Sequence, residues 1–193
     1  MQLRSDLLAT ADVDPLWDAR KSLSLAVSGF RKEGVIGYLR RADRSFRRSR
    51  GQHCRAINGA GFMVDLIQPI DDLQAGTDDI ANEEDLVGIG VEGLEWLVNA
   101  PKLDGVVIGE DGIPIRCSSV DPRAFALHKA WVSERADRDP VRRARDYAQA
   151  QEAAWIADHY LGMEISDRAL SALPAFMRRF AERLERDCLE RHP

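Results

Sequence analysis

The sequence contains few cysteines and no long hydrophobic run, and each shortage excludes a class of protein. The three cysteines, Cys54, Cys117 and Cys188, lie far apart and form no Cys-x-x-Cys pair, which argues against a disulfide framework or a cysteine-ligated zinc site. No segment is apolar for long enough to cross a membrane as a helix, and the first residues lack the basic start and apolar core of a secretory signal. These absences predict a cytoplasmic protein whose thiols are reduced.

The sequence is also short of positive charge. Its 193 residues carry a formal net charge of −5, with 31% charged and 45% hydrophobic residues. This composition is typical of a soluble globular protein with one ordinary domain or two small ones. The negative balance argues against a protein that coats nucleic acid generally.

Two aspartates stand two residues apart near the start of the chain, within residues 7–18. If this segment is a short strand, Asp12 and Asp14 project from the same face, because side chains two apart in a strand share a face. Two carboxylates at one place repel each other unless a cation lies between them, and Mg²⁺ takes such oxygen ligands. The alternative is that this common tripeptide forms a solvated turn or a helix cap.

A third aspartate lies inside an apolar run. The sequence Asn-Gly-Ala-Gly at 58–61 separates apolar runs at 53–57 and 62–67, which predicts a β-hairpin. Asp65 occupies the middle of the second run, where a carboxylate is costly to bury unless it is paired or bound to a metal. The alternative is an outward-facing position on a half-exposed sheet.

Charged residues are concentrated in two further segments. Residues 40–55 contain seven arginines and one aspartate, which indicates either a surface that collects phosphates or a helix end and hairpin edge kept solvated by charge. The second interpretation is favoured, with a contribution to triphosphate binding as the minority view. Residues 71–85 are acidic without the ligand spacing of a calcium loop, and they predict a surface loop.

The C-terminal third has helical patterning. Asp121-Pro122 and Asp139-Pro140 are helix starts, because aspartate caps a helix and proline fits its first turn. These helices, with another over residues 175–189, predict a helical bundle packed on an α/β core. We therefore expect an α/β (α+β) fold with a mixed sheet, divided into an α/β core over residues 1–120 and a helical region over residues 121–193.

With Asp12, Asp14 and Asp65 identified, the chain resembles the nucleotidyltransferase superfamily, which has the polymerase-β-like fold. The hallmark of that superfamily is an Asp-x-Asp or Asp-x-Glu strand followed by a third aspartate on a neighbouring strand. More closely, the chain is similar to a bacterial group of nucleotidyltransferase-fold proteins over most of its length. The matching stretches are residues 8–14, 16–20, 41–46, 61–67 and 121–129.

The resemblance implies a Mg²⁺-dependent transfer of a nucleoside monophosphate from an NTP to a hydroxyl of an unknown acceptor. It implies that Asp12, Asp14 and Asp65 hold two magnesium ions, and that Asp65 can accept the proton of the attacking hydroxyl. Two such ions about 4 Å apart stabilise the entering and leaving oxygens of a phosphoryl-type transfer.

The resemblance also draws attention to the C-terminal helices. Lys129 is similar to a lysine that related proteins direct at nucleotide phosphates, and the equal alternative is an ordinary surface lysine. Arg143, Arg145 and Asp146 fall in a stretch similar to an arginine- and aspartate-containing helix of those proteins. We expect Arg145 and Asp146 to be an exposed pair rather than catalytic groups.

The chain departs from the family pattern upstream of Asp12. Superfamily members bind the triphosphate with a Gly-Ser or Gly-Thr at a helix start that precedes the Asp-x-Asp strand. Here no glycine precedes Gly29, and only eleven residues precede Asp12. The first strand and helix of the fold are therefore expected to be absent, as in an N-terminally truncated chain. Pro15 is also unusual beside a central strand.

Two functional classes stay open. The first is an enzyme that acts on a protein, an RNA or a small molecule, for example within a toxin–antitoxin pair. The second is a catalytically inactive remnant that binds a nucleotide or a partner. A serine hydrolase has no supporting motif, and the four histidines lack the spacing of a metal site.

Overall fold

The computed structural model describes residues 12–13, 30–70, 85–109, 111–166, 170–171 and 173–191, with the backbone alone described at positions 12, 13, 30–33 and 191. The chain divides into two compact units, one within Thr10–Glu95 and one within Trp96–Pro193. Short strands dominate the described part of the first unit, and helices dominate that of the second.

The described residues of the N-terminal unit form a helix and six short strands. The elements are β1 (Asp12–Val13), α1 (Phe30–Ala42), β2 (Arg47–Arg48), β3 (Arg55–Ile57), β4 (Met63–Asp65), β5 (Ile67–Pro69) and β6 (Ile89–Val91). Strands β1 to β4 form a sheet in the order β1-β4-β3-β2, and β5 pairs with β6 in parallel. Because β1 is parallel to β4 while β2, β3 and β4 are antiparallel neighbours, the sheet is mixed as expected.

The predicted hairpin between β3 and β4 is confirmed. Asn58 Oδ1 accepts hydrogen bonds from the amides of Ala60 (3.0 Å) and Phe62 (2.8 Å), which closes the turn. An asparagine side chain can satisfy backbone donors in this way, which is why asparagine is common in tight turns.

The apolar run 62–67 forms two strands instead of the single strand that its pattern predicts. Leu66 is the residue at which the chain changes partner. Its amide donates to the carbonyl of Cys54 (2.8 Å), and its carbonyl accepts from the amide of Ile89 (3.0 Å). The run therefore ends one sheet at Asp65 and begins another at Ile67.

The register gives the four-stranded sheet two chemically different faces. On one face, Ala56 and Val64 are buried in a core cluster. The members of that cluster are Ile36, Phe46, Ala56, Val64, Leu66 and Leu86. The other face contains Ile57 of β3, which aligns with Arg47 of β2 on one side and with Met63 of β4 on the other. Met63 in turn aligns with position 12 of β1 in the backbone register. Among the described residues, this second face carries no member of that core cluster.

Helix α1 is interrupted at Gly34. Gly34 has φ 63° and ψ −177°, a geometry that glycine adopts far more readily than other residues. Asp85 is buried, and its Oδ1 accepts hydrogen bonds from the amides of Ile36 (3.0 Å) and Leu86 (2.8 Å). Asp85 thus caps the helical segment after Gly34. The predicted surface loop is wrong at this residue, and residues 71–84 lie outside the described part.

The C-terminal unit contains a long hairpin followed by helices. Helix α2 (Leu94–Asn99) spans the boundary between the units, and strands β7 (Lys102–Ile108) and β8 (Pro114–Val120) pair antiparallel. The helical elements are α3 (Pro122–Glu134), α4 (Pro140–Trp155), a π-helix (Ile156–Tyr160), a 3₁₀ turn (Ala175–Met177) and α5 (Arg178–Arg191). The helices that begin at residues 122 and 140 and the last helix of the chain agree with the sequence prediction.

Both predicted helix starts are confirmed. Asp121 Oδ1 accepts a hydrogen bond from the amide of Arg123 (2.9 Å) at the start of α3. Asp139 Oδ1 accepts from the amides of Val141 (2.9 Å) and Arg142 (3.2 Å) at the start of α4. In each case a proline follows, which needs no hydrogen-bond partner in the first turn.

The helices of the C-terminal unit pack through small residues and a few large ones. Ala150 and Ala154 on α4 and Ala126 on α3 are fully buried, and Trp155 and Phe180 are each 1% exposed. The mixed α/β fold with C-terminal helices is therefore confirmed, while a domain boundary at residue 120 stays a prediction. Within the described ranges, no helix has both the length and the apolarity needed to cross a bilayer.

Candidate functional site

Asp65 lies on an interior strand of the N-terminal sheet and faces away from the core. Arg55 stands opposite it on β3; its Nε donates to Asp65 Oδ1 (2.6 Å) and its Nη2 donates to Oδ2. The Asp65 side chain is only 15% exposed. A two-pronged guanidinium contact compensates the charge and satisfies both oxygens, which explains how an apolar strand tolerates a carboxylate. Each sequence interpretation of Asp65 therefore holds in part, since the residue faces outward and is also paired.

Arg55 is the residue that the sequence interpretation missed as a partner of Asp65. The signal was present in the hairpin: counting outward from the turn pairs Ile57 with Met63 and Arg55 with Asp65. Opposite charges directly across an antiparallel pair attract each other and stabilise the sheet. Arg55 thereby fixes the orientation of the Asp65 carboxylate.

The backbone places position 12 beside the strand that carries Asp65. β1 pairs in parallel with β4 so that Asp12 aligns with Met63 and Val13 aligns with Val64. Asp65 is two residues beyond Met63, and paired or alternate positions in neighbouring strands belong to one face of a sheet. Asp14 lies outside the described residues, so its predicted place in the site stays a prediction.

The donor set is of the type that binds a hard divalent cation. The predicted ligands Asp12, Asp14 and Asp65 would supply carboxylate oxygens, which Mg²⁺ prefers. Each carboxylate oxygen has two lone pairs, so the contacts from Arg55 leave acceptor capacity on both oxygens of Asp65. The residues present therefore fit such an ion in donor chemistry. Within the described side chains, which exclude those of Asp12 and Asp14, no three His, Cys, Asp or Glu residues form a metal-binding group.

Lys129 lies in the C-terminal unit and makes an ion pair there. Its Nζ donates to Asp146 Oδ1 (2.8 Å) and lies 5.7 Å from the centre of the Phe125 ring. Arg138 Nε donates to the other oxygen of Asp146 at 2.8 Å. This pairing holds α3 against α4, and a role for Lys129 in binding nucleotide phosphates stays a prediction.

Asp146 corrects the expectation of an exposed pair with Arg145. Asp146 is 3% exposed and lies between Lys129 and Arg138, whereas Arg145 is exposed. Burial alone would raise the pKa of Asp146, but the hydrogen bonds and charges of Arg138 and Lys129 outweigh it and lower the pKa below its ordinary value. The sequence places one base and one acid side by side, but in a helix the side chains of residues i and i+1 point in different directions.

Replacing Asp146 with alanine is expected to destabilise the chain by about 2–4 kcal/mol, because Lys129 and Arg138 lose their shared anion in a partly buried setting. Since the pKa of Asp146 is lowered on folding, its contribution is complete above about pH 4 and is lost as the pH falls through the folded-state value. Urea unfolding at neutral and acid pH measures this.

The matched control for this variant is Asp137→Ala, which removes a carboxylate that is 69% exposed from a neighbouring surface pair. It should leave the urea midpoint almost unchanged. The difference in free energy of unfolding between wild type and Asp146→Ala should become smaller below about pH 4. A gap that stays constant down to the acid limit of the folded state would contradict the assigned charge pairing.

Comparison with known proteins identifies the family. The chain matches a family model described as nucleotidyltransferase over residues 1–174. No curated protein and no solved structure matches it significantly. The matched range contains the four residues that the resemblance assigns to metal or nucleotide binding, which are Asp12, Asp14, Asp65 and Lys129. Since the match covers far more than half of the 193 residues, the chain belongs to this family of nucleotidyltransferases.

Proposed function

We propose that the chain transfers a nucleoside monophosphate from an NTP to a hydroxyl group, with Asp12, Asp14 and Asp65 holding Mg²⁺ at the site of transfer. The observation that carries this proposal is the parallel register of β1 and β4, which aligns Asp12 with the residue two before Asp65. A register shifted by one residue would assign the two positions to opposite faces of the sheet.

The proposed reaction is a displacement at the α-phosphorus of the NTP. The hydroxyl oxygen of the acceptor forms a bond to that phosphorus while the bond to the bridging oxygen of the β-phosphate breaks and pyrophosphate leaves. The hydroxyl proton passes to the carboxylate of Asp65 and then to solvent. Bound Mg²⁺ supplies neutralisation of the triphosphate charge.

Rigid placement of the carboxylate is the contribution of this chain that the described contacts support most directly. Arg55 holds Asp65 by two hydrogen bonds on a strand that is paired on both sides. Transfer of a phosphoryl-type group depends mainly on positioning and on charge, because little covalent chemistry falls to the protein. An oriented carboxylate on an interior strand meets that requirement better than one on a loop.

The proposal is tested by incubating the chain with each α-labelled NTP and Mg²⁺, in separate reactions with total RNA and total protein as acceptors. Wild type should transfer label, and Asp12→Asn should reduce the transfer about a hundredfold or more, since charge at the ion site is lost. Calorimetric titration with Mg²⁺ should show binding that is weakened in the same variant.

The control is Asp104→Asn, which removes an exposed carboxylate from β7. It should transfer label at the wild-type rate. Equal labelling by wild type and Asp12→Asn would overturn the proposed mechanism. If wild type binds NTP but transfers no label, the result would instead favour an inactive nucleotide-binding protein.

A further inference from the structure

The face of the sheet that carries Asp65 extends to a basic edge. β2 is the edge strand in the order β1-β4-β3-β2, and Arg47 on β2 aligns with Ile57 and, through it, with Met63. Arg47 therefore lies on the same face as Asp65, at a distance of about 10 Å from β4 across two strand spacings. The other residue of β2, Arg48, aligns with buried Ala56 and uses its guanidinium on the carbonyl of Asp85.

Three arginines at this edge are exposed. Arg44 lies in the turn after α1, Arg47 in β2 and Arg50 in the bend that follows, and the described residues provide no ion-pair partner for any of them. The other four arginines of residues 40–55 make contacts within the unit. Arg40 donates to the carbonyl of Phe46 and Arg41 lies over the Tyr38 ring, while the contacts of Arg48 and Arg55 are given above. We call Arg44, Arg47 and Arg50 the edge arginines.

The carboxylate of Asp43, the single acid of residues 40–55, accepts several hydrogen bonds. Asp43 accepts from the amide (2.8 Å) and the hydroxyl (2.7 Å) of Ser45 and from Asn58 Nδ2 (2.9 Å). These bonds lower the pKa of Asp43, that from the Ser45 amide most of all. Its oxygens are therefore used in closing the turn and do not pair with the edge arginines. The local surface is positive although the whole chain carries a net charge of −5.

We propose that the acceptor is a nucleic-acid strand, whose phosphates contact the edge arginines while its terminal hydroxyl reaches Asp65. This inference rests on the proposed function. Three positive groups on a chain segment a few residues long suit the repeated negative charges of a phosphodiester backbone, and guanidinium groups bind phosphate oxygens in pairs. Charged side chains of either sign would keep an edge strand from aggregating. Here all three side chains are arginine, which favours phosphate binding over that alternative.

The test measures binding of fluorescein-labelled oligouridylate and oligothymidylate by the full chain, without NTP, over a series of salt concentrations. The variant is Arg44→Gln/Arg47→Gln/Arg50→Gln. We expect its affinity for the better-bound strand to fall about tenfold or more at low salt, and the slope of log K against log salt to fall by about 2, because three phosphate contacts are lost from a single strand.

The matched control is Arg142→Gln/Arg145→Gln/Arg186→Gln, which removes the same charge from exposed arginines on α4 and α5. It should bind either oligonucleotide as wild type does, and both triple variants should keep the wild-type melting temperature. Binding of one strand type and not the other would identify the acceptor as RNA or DNA within the proposal.

Three results would overturn the inference. The first is that wild type binds no oligonucleotide at low salt, and the second is that both triple variants lose the same affinity. The third is that polyglutamate displaces the labelled oligonucleotide as effectively as unlabelled oligonucleotide does, which would indicate a general attraction of polyanions. None of them bears on label transfer. A chain that labels protein in an Asp12-dependent way but binds no oligonucleotide would keep the proposed function and lose the nucleic-acid acceptor.

Discussion

Replacing Asp65 with asparagine is expected to slow nucleotidyl transfer about a hundredfold or more, which corresponds to about 3 kcal/mol of lost transition-state stabilisation. Asparagine keeps the shape of the side chain but carries no charge for a cation and accepts no proton. Because Arg55 contacts both oxygens of Asp65, some stability is lost as well. The rate of label transfer at saturating NTP measures the effect, and circular dichroism establishes that the variant is folded.

Arg55→Gln separates the two roles of Asp65. It removes the guanidinium that contacts the carboxylate and leaves the carboxylate in place. If Asp65 acts at the site of transfer, Arg55→Gln should lose clearly less activity than Asp65→Asn, because the carboxylate remains although Arg55 no longer fixes its orientation. Both variants lose the same ion pair. Equal activity losses, in step with equal losses of stability, would mean that Asp65 only supports the sheet.

The parts of this site that follow from the sequence are those set by local pairing. The turn at Asn58 predicts a hairpin, and the hairpin register determines that residue 55 faces residue 65. The same counting identifies the partner of Asp65 before any coordinates are known. The position of β1 is different, since a parallel neighbour is joined through a long connection and no short-range rule sets its register.

Contacts between residues distant in sequence explain the two wrong expectations about charged residues. Asp85 ends an acidic run and was expected in a surface loop, but it satisfies the amide of Ile36, 49 residues earlier. Asp146 was expected to pair beside Arg145, but it is buried between Lys129 and Arg138. Both acids have partners that local pattern cannot reveal, because tertiary packing decides which side chain meets an unsatisfied donor.

The N-terminal unit uses the two faces of one sheet for different purposes. Ala56 and Val64 complete the core on one face, and Arg47, Arg55 and Asp65 stand on the other. Alternation along each strand separates these two sets of side chains. A substitution on the core face is therefore expected to affect stability first. Under the proposed function, one on the charged face is expected to affect binding and transfer first.

On the core side of this unit, a substitution at Gly34 is expected to lower stability strongly. Replacing Gly34 with alanine is expected to destabilise the chain by about 2–4 kcal/mol, from backbone strain at positive φ and from loss of a helix cap. A Cβ at this position would lie 2.0 Å from Asp85 Oδ2 and 2.3 Å from its Cγ. Asp85 must then move away and release the amides of Ile36 and Leu86. The midpoint of urea unfolding measures the loss.

Two other glycines separate the contributions to that loss. Gly61 has φ 86° and nothing within 4 Å of its Cβ position, so Gly61→Ala tests strain alone, and Gly51→Ala, with neither strain nor overlap, should be neutral. The double variant Gly34→Ala/Asp85→Ala should be less destabilised than the sum of its single variants, since the alanine at position 34 no longer overlaps a carboxylate. Strict additivity would show that Asp85 does not cap α1, because two residues that share no contact contribute independently.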